Sequence, residues 1–245
     1  MKGLLLGNLE NNHQIGILLA TYCEAPNVER LINEIEKINL SIQILVIDDS
    51  SPDKTAEIVR TLQKKYTNII LFIRPEKSGL GTAIRDGFRI FLSLKYVPKF
   101  IVTMDADYSH NPQDIQVLVS HMRKEDGFVI GSRYCKGGRI EGWPSMRRIV
   151  SRTANILARS LAGLKLNDCT SGFRCYSSEF LNVAIDNLHC STFEIQIETA
   201  KQARLRGFGI DETPVLFINR KRGKSKLTFN EVSGYFFYIF KTIRR

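Results

Sequence analysis

The chain is 245 residues long, 43% hydrophobic and 24% charged, with a formal net charge of +10. That length holds one large α/β domain or two small ones, and the balance of apolar and charged residues excludes a disordered polymer. No apolar run reaches the ~18 residues that span a bilayer, and Leu4 to Leu6 is too short for a secretion signal.

Residues 15–21 (IGILLAT) predict a buried strand, after which Val28, Leu31, Ile32, Ile35 and Ile38 keep a helical period. Residues 42–47 (IQILVI) predict a second strand ending in Asp48-Asp49. Ser51 as N-cap and Pro52 at the first helical position then open a helix to about Tyr66. Residues 69–73 (IILFI) form a third strand, Arg74 to Gly81 a turn, and Thr82 to Leu94 a third amphipathic helix. Ile101 to Met104 make a fourth strand that runs into Asp105-Ala106-Asp107, and Asn111-Pro112 starts the next helix. A short strand ends at Val129-Ile130, before Gly131 to Tyr134. Strands alternating with helices predict an α/β fold, a Rossmann-like, mostly parallel sheet with helices on both faces.

The second half is less regular. Residues 146–162 read as a helix with Ile149, Ala154, Ile156, Leu157 and Leu161 apolar and with Arg147, Arg148, Ser151 and Arg152 near its start. Glu194 to Arg206 reads as a helix, Pro214 to Ile218 as a strand and Arg220 to Lys226 (RKRGKSK) as a basic loop. Phe229 to Arg245 closes the chain in a helical pattern, so residues 1–228 form one domain and residues 229–245 a C-terminal amphipathic helix. With Tyr235 to Phe240 apolar and Lys241, Arg244 and Arg245 behind it, this helix suits a membrane interface or a core docking position.

Charge is unevenly placed. Residues 131–160 carry seven basic side chains against Glu141, and residues 201–245 carry eleven against Asp211, Glu212 and Glu231, so the remainder sums to 10 − 14 = −4. A basic C-terminal half points to phosphates, anionic lipid or nucleic acid. The acidic residues gather elsewhere: Glu24, Asp48-Asp49 and Asp105/Asp107 all fall at or just past predicted strand ends. In open α/β sheets ligands bind at that edge, and two carboxylates two residues apart can face one hard cation. Asp49 could instead cap the following helix, and Asp168 could contact a sugar or cap a turn. Lys77 and Gly79-Leu80-Gly81 precede a helix, which suits a phosphate or a close backbone approach. Cys23, Cys135, Cys169, Cys175 and Cys190 are odd in number and contain no C-x-x-C pair, which argues for reduced thiols in a cytosolic setting. His13, His110, His121 and His189 have no ligand spacing and are expected in surface or turn roles.

The ordered set ATYCEAPN, VIDDSSPDKT, RPEKSGLGTA, DADYSHNP, GSRY, SRTAN, LNDCTSGFRCY and INRKRGKSKL resembles glycosyltransferase family 2, within it the dolichol-phosphate (polyprenol-phosphate) mannose synthases, over roughly residues 15–230. The resemblance implies a GT-A fold, GDP-mannose as donor, a divalent cation (Mg²⁺ or Mn²⁺) and dolichyl or polyprenyl phosphate as acceptor. By motif it makes Ala20, Tyr22, Glu24, Asp48, Asp49, Lys77 and Ala106 the donor-nucleotide set, with Ala20 standing where the family usually has proline. Asp105 and Asp107 become metal ligands with Ser109 close by. Arg133, Arg147 and Ser151 resemble the acceptor-phosphate clamp, Arg220 and Lys226 the loop over the phosphates, and Asp168 a sugar contact. Asp105, Asp107 and Arg220 are then the residues expected to carry catalysis.

Elementary chemistry agrees with that assignment. A departing diphosphate is helped by a cation on two carboxylates, and an acceptor phosphate, already anionic near neutral pH, needs arginines rather than a general base. The expected reaction is inverting mannose transfer at the cytosolic face of a membrane, that of the endoplasmic reticulum or the plasma membrane, by a peripheral enzyme with or without a small anchoring subunit. Its rivals are glucose transfer from UDP-glucose, a sugar nucleotidyltransferase, and a basic nucleic-acid-binding protein; the last leaves the carboxylates unexplained and is set aside.

Overall fold

The computed structural model describes residues 2–220, with Leu161 and Ala162 described by backbone alone. Its elements are β1 (Leu4–Leu6), β2 (Ile15–Thr21), α1 (Ala25–Ile35), β3 (Ile42–Asp48), α2 (Thr55–Gln63), β4 (Ile69–Ile73), α3 (Leu80–Leu92), β5 (Phe100–Asp105), α4 (Asp114–His121), β6 (Asp126–Ser132) and β7 (Arg139–Glu141). There follow α5 (Ser145–Ala162), β8 (Arg174–Ser177), α6 (Ser178–Ala184), α7 (Ile195–Leu205), β9 (Gly209–Pro214) and β10 (Leu216–Ile218).

Eight strands form one sheet in the order β1-β4-β3-β2-β5-β8-β6-β9, and β7 pairs with β10 beside it. β2 runs parallel to β3 and β5, and β3 parallel to β4, whereas β1 and β8 run antiparallel to their neighbours. Strand side chains alternate faces, so the near-continuous apolar runs feed two cores. Ile17, Leu19, Ile44, Val46 and Leu71 pack with α1, α2 and α4 through Val28, Leu31, Val59, Leu62 and Ile115. Leu18, Leu45, Ile47, Ile70 and Phe72 pack on the other face with Phe88 of α3, Ala158 of α5, Phe180 of α6 and Ile197 of α7.

Several expectations change at the level of the element. The second helix begins at Thr55, and Ser51 does not cap it. The Ser51 hydroxyl and amide both donate to Asp48 (2.6 and 2.9 Å), while the Asp53 carboxylate accepts from the Thr55 and Ala25 amides (3.2 and 3.0 Å). The strand expected over residues 214–218 splits into β9 and β10 around Val215. In α5, Ala154 and Ala158 are buried, whereas Ile149 and Ile156 stand 58% and 59% exposed. His110 is buried, between Phe173 and Phe217, rather than on the surface. Lys226, the helix expected over residues 229–245 and the boundary before it lie outside the described residues.

Candidate active site

The chain runs β2, β3, β4 outward in one direction and then returns to place β5 on the other side of β2. That reversal opens a crevice beyond the C-terminal ends of the two strands, where Ala20 and Asp105 are register partners. The loops leaving β2, β3 and β5 each contain a non-glycine residue at positive φ: Cys23 at 55°, Ser50 at 51° and Tyr108 at 61°. Backbone held in the left-handed region concentrates at sites where side-chain direction is over-determined.

Acidic residues of the first half and basic residues of the second half line one cleft there, among them Glu24, Asp49, Asp105 and Asp107 together with Arg133, Arg147 and Arg220. Asp105 ends β5 with partial exposure to the cleft, and Asp107 is buried. Burial, and then the charge of Asp107, push Asp105 up to about 6. Arg220 Nη2 stands 2.6 Å from Asp107 Oδ2 and its Nη1 4.0 Å from Glu24 Oε1. The carboxylate pair therefore already faces a cation, supplied by the protein.

Among the described residues no three His, Cys, Asp or Glu side chains form a metal cage. A two-carboxylate site suits a hard ion that takes its other ligands from phosphates and water, as Mg²⁺ does, and crowded buried carboxylates of this kind are relieved by such charge. The hard oxygen donors of Asp105 and Asp107 thus fit a divalent cation. Ser109 is also buried, with its Oγ unpartnered among the described residues, but it does not line the cleft; its amide donates to Asp107 Oδ1 at 3.0 Å.

The basic wall is built around a buried ion pair. Arg133 Nε and Nη2 donate to Asp168 at 2.7 and 2.8 Å, and the Arg133 amide donates to it at 3.0 Å. Burial alone would raise Asp168, yet the Arg133 charge and these hydrogen bonds hold it below the usual carboxylate range. Arg147 lies over the Trp143 ring at 4.2 Å and donates to Asn219 Oδ1 at 3.2 Å. Burial, followed by the like charges of Arg220 and Arg133, pulls Arg147 down, against the opposing pull of Asp107 and Asp105. The Tyr134 hydroxyl donates to Ser151 Oγ at 2.8 Å, at the cleft edge. Burial, then the Arg133 charge, lowers His110 to about 4, so it is neutral at pH 7.

Residues 17–183 match Glycosyl transferase family 2. The chain belongs to this family. It is 31% identical over 225 residues to the polyprenol monophosphomannose synthase of Mycolicibacterium smegmatis, covering 91% of this chain and 84% of that one. It is 33% identical over 213 residues to the undecaprenyl-phosphate mannosyltransferase of Micrococcus luteus, covering 86% of each. The fold is shared with glucosyl-3-phosphoglycerate synthase of Mycobacterium tuberculosis, solved with Mn²⁺, uridine diphosphate and glucosyl-3-phosphoglycerate, at a TM-score of 0.68 and 16% identity over 94% of this chain and 78% of that one. The α/β, GT-A-like architecture read from the sequence is the one observed.

Within this family member the cleft gathers Ala20, Tyr22, Glu24, Asp49, Lys77, Asp105, Ala106, Asp107, Arg133, Arg147, Ser151 and Arg220 from the sequence-read set, but not Asp48 or Asp168. Asp48 is fully buried and accepts from Thr21, at 2.9 Å, and from Ser51, which orients the loop after β3. Asp168 is likewise fully buried; it caps its own turn through the Thr170 amide, the second role the sequence allowed it, and holds Arg133. Asp49 does not cap α2: Arg74 takes it bidentately at 2.6 and 2.8 Å. Sequence reasoning missed Arg74, Trp143, His110 and Phe193. Arg74 looks like an ordinary turn residue, and only the parallel register of Asp48 with Ile73 brings it to Asp49.

Proposed function

We propose that this chain transfers mannose from GDP-mannose to the phosphate of a polyprenol, giving polyprenyl phosphate mannose and GDP with inversion at the anomeric carbon. The observation that carries the reading is the gathering, in one cleft, of Asp105 and Asp107 with Arg133, Arg147 and Arg220, in a chain similar over most of its length to two polyprenyl-phosphate mannosyltransferases. A divalent cation, Mg²⁺ or Mn²⁺, held on Asp105 and Asp107 would neutralise the departing diphosphate. Tyr22, Glu24, Asp49 and Lys77 flank the nucleotide, with Asp49 fixed in orientation by Arg74.

Arg147 and Ser151, backed by Arg133, hold the acceptor phosphate in line with the anomeric carbon. One phosphate oxygen forms the new C–O bond as the bond to the donor β-phosphate breaks, and GDP leaves with the electron pair. The attacking oxygen is already anionic, so no side chain need remove a proton, in keeping with a neutral His110. Such an enzyme works peripherally, at the cytosolic face where nucleotide sugars and lipid phosphates meet.

Labelled GDP-mannose, a polyprenyl phosphate and Mg²⁺ or Mn²⁺ provide the test, with label followed into organic solvent. Transfer is expected, EDTA should abolish it, and Asp105→Asn should reduce it by about 10²-fold or more. UDP-glucose should be a poor donor. Label that stays in water with every donor would sink the reading.

A further inference from the structure

We propose that Gln196, together with the bare face of Gly172 and the carboxylate of Asp105, forms a subsite that grips hydroxyl groups of the donor sugar and so selects it. The inference deepens the reading above and rests on it for a sugar nucleotide as donor.

Gln196 lies in the first turn of α7 and is 2% exposed, and its Oε1 has no hydrogen-bond partner among the described residues. Buried polar side chains are nearly always paired, because an orphaned oxygen has given up its bond to water and gained none in return. Gly172 shows where this side chain looks. The glycine lines the cleft, and a Cβ built on it would stand 3.5 Å from Gln196 Nε2 and 3.4 Å from Asp105 Oδ1. Apart from chain neighbours of the glycine, nothing else comes within 4 Å of that point. A carboxamide and a carboxylate therefore flank a gap that the missing side chain leaves open.

The surroundings hold the gap in shape. The Gly172 oxygen accepts from Thr103 Oγ1 at 2.7 Å. The fully buried Arg174 donates to the main-chain oxygens of Ser171 and Gln196 at 2.8 and 2.7 Å, so one guanidinium ties the turn before Gly172 to the turn that carries Gln196. The Gln196 amide donates to the oxygen of Phe193, itself a cleft residue, at 3.2 Å. Polar groups held this firmly around an opening are placed for recognition.

The chemistry selects the occupant. A carboxamide both donates and accepts, whereas an ionised carboxylate only accepts. A phosphate has no hydrogen to give Gln196 Oε1 and would meet the charge of Asp105. A hydroxyl donates to one neighbour while accepting from another, and a sugar ring presents such groups in adjacent pairs. With Tyr22, Glu24, Asp49 and Lys77 beside the nucleotide and Asp105 at its diphosphate, the glycosyl group is the part of the donor left for this gap.

Two variants of the full-length protein test the proposal. Gln196→Met keeps the length of the side chain and removes both of its hydrogen-bonding ends, so its melting temperature should equal or exceed that of wild type. Its kcat/KM with GDP-mannose should fall by roughly tenfold or more, while its affinity for GDP, which carries no sugar, stays within about twofold. Deoxy analogues of GDP-mannose, each lacking one hydroxyl, locate the contact. Wild type should lose roughly tenfold or more on at least one analogue, and Gln196→Met should treat that analogue and GDP-mannose alike. Gly172→Ala adds a methyl that meets only ordinary contacts, so it should melt as wild type does and still lose mannose transfer by roughly tenfold or more.

A Gln196→Met protein that discriminates among the analogues as sharply as wild type overturns the proposal. So does one that melts lower with transfer unchanged, which would give the amide to an internal water and a structural role. Full transfer by Gly172→Ala would also overturn it. Transfer from UDP-glucose but not from GDP-mannose overturns the mannose reading alone, and the same Gln196→Met comparison then judges the subsite on that sugar. Transfer from neither donor overturns both.

Discussion

Both oxygens of Asp168 are engaged, and neither faces the cleft: they accept from the amide, Nε and Nη2 of Arg133 and from the amide and hydroxyl of Thr170. The pair is almost wholly enclosed, at 8% and 0% side-chain exposure. Removing one member of such a pair leaves the other charge buried and unpaired, so Asp168→Asn should destabilise the fold by about 3–5 kcal/mol in urea melts. The pH response has a definite sign. Asp168 titrates in the folded protein below its ordinary value of 3.8, so its contribution is present above that value and is lost as pH falls through the lowered one. Asp168→Asn should flatten that acid limb of a stability–pH curve, and a variant as stable as wild type would show that Arg133 needs no anion. At this scale the sequence was readable where position decides placement: Asp105 and Asp107, at and just past the end of β5, both line the cleft. It was unreadable where a partner decides it: Asp168 and Asp48 look like ligand-facing acids until Arg133, Ser51 and Thr21 are seen to occupy them.

Among elements, the start of α3 joins fold to cleft. Gly79 has φ 96° and a Cβ there would fall 2.3 Å from the Ser191 carbonyl oxygen; a Cβ on Gly81 would fall 2.5 Å from that of Cys190 and 2.8 Å from backbone atoms of Ser191 and Thr192. The Gly81 amide donates to the Ser191 oxygen at 2.9 Å, while Glu198 of α7 accepts from the amides of His189 and Cys190, both at 2.9 Å. The glycines thus let a helix N-terminus press on a loop of this same chain, and Leu80 and Phe193 from the two sides line the cleft. Gly81→Ala must displace that loop, so it should destabilise by about 1–3 kcal/mol and raise KM for the donor more than it lowers kcat. An unchanged melt with unchanged KM would mean the loop yields freely. The glycines were visible in the sequence, but the loop they meet lies more than a hundred residues away and carries no periodic signal. β8 was hidden for a different reason. Its four residues run antiparallel between β5 and β6 and include the fully buried Arg174, whose guanidinium donates to the oxygens of Cys169, Ser171 and Gln196. A charge at the centre of a sheet breaks the apolar pattern by which strands are recognised.

Across the whole molecule, the reversal of strand order and the segregation of charge describe one division. The parallel strands of the first half deliver carboxylates to the switch point, and the segments after β6 and β10 return arginines to the same place. That architecture could be read from alternating strands and helices and from a surplus of basic residues late in the chain. What could not be read is that an arginine late in the chain pairs directly with carboxylates of the first half. Arg220, one residue past Asn219 on the strand-end loop after β10, reaches across to Asp107 at 2.6 Å and toward Glu24 at 4.0 Å. If Asp105 and Asp107 hold a divalent cation, it would compete with that guanidinium for an oxygen of Asp107. Arg220→Gln should therefore bind Mn²⁺ more tightly than wild type when no nucleotide is present, by roughly tenfold for one charge-assisted contact of about 1.5 kcal/mol. With donor bound the order should reverse, because a guanidinium released from Asp107 would be available to the diphosphate, and its loss should lower kcat by about 10²-fold. Titration of Mn²⁺ by calorimetry without nucleotide reads the first effect, and the mannose-transfer assay on the same pair of proteins reads the second. Weaker Mn²⁺ binding by Arg220→Gln without nucleotide would mean that Arg220 shapes the carboxylate pair instead of competing for it.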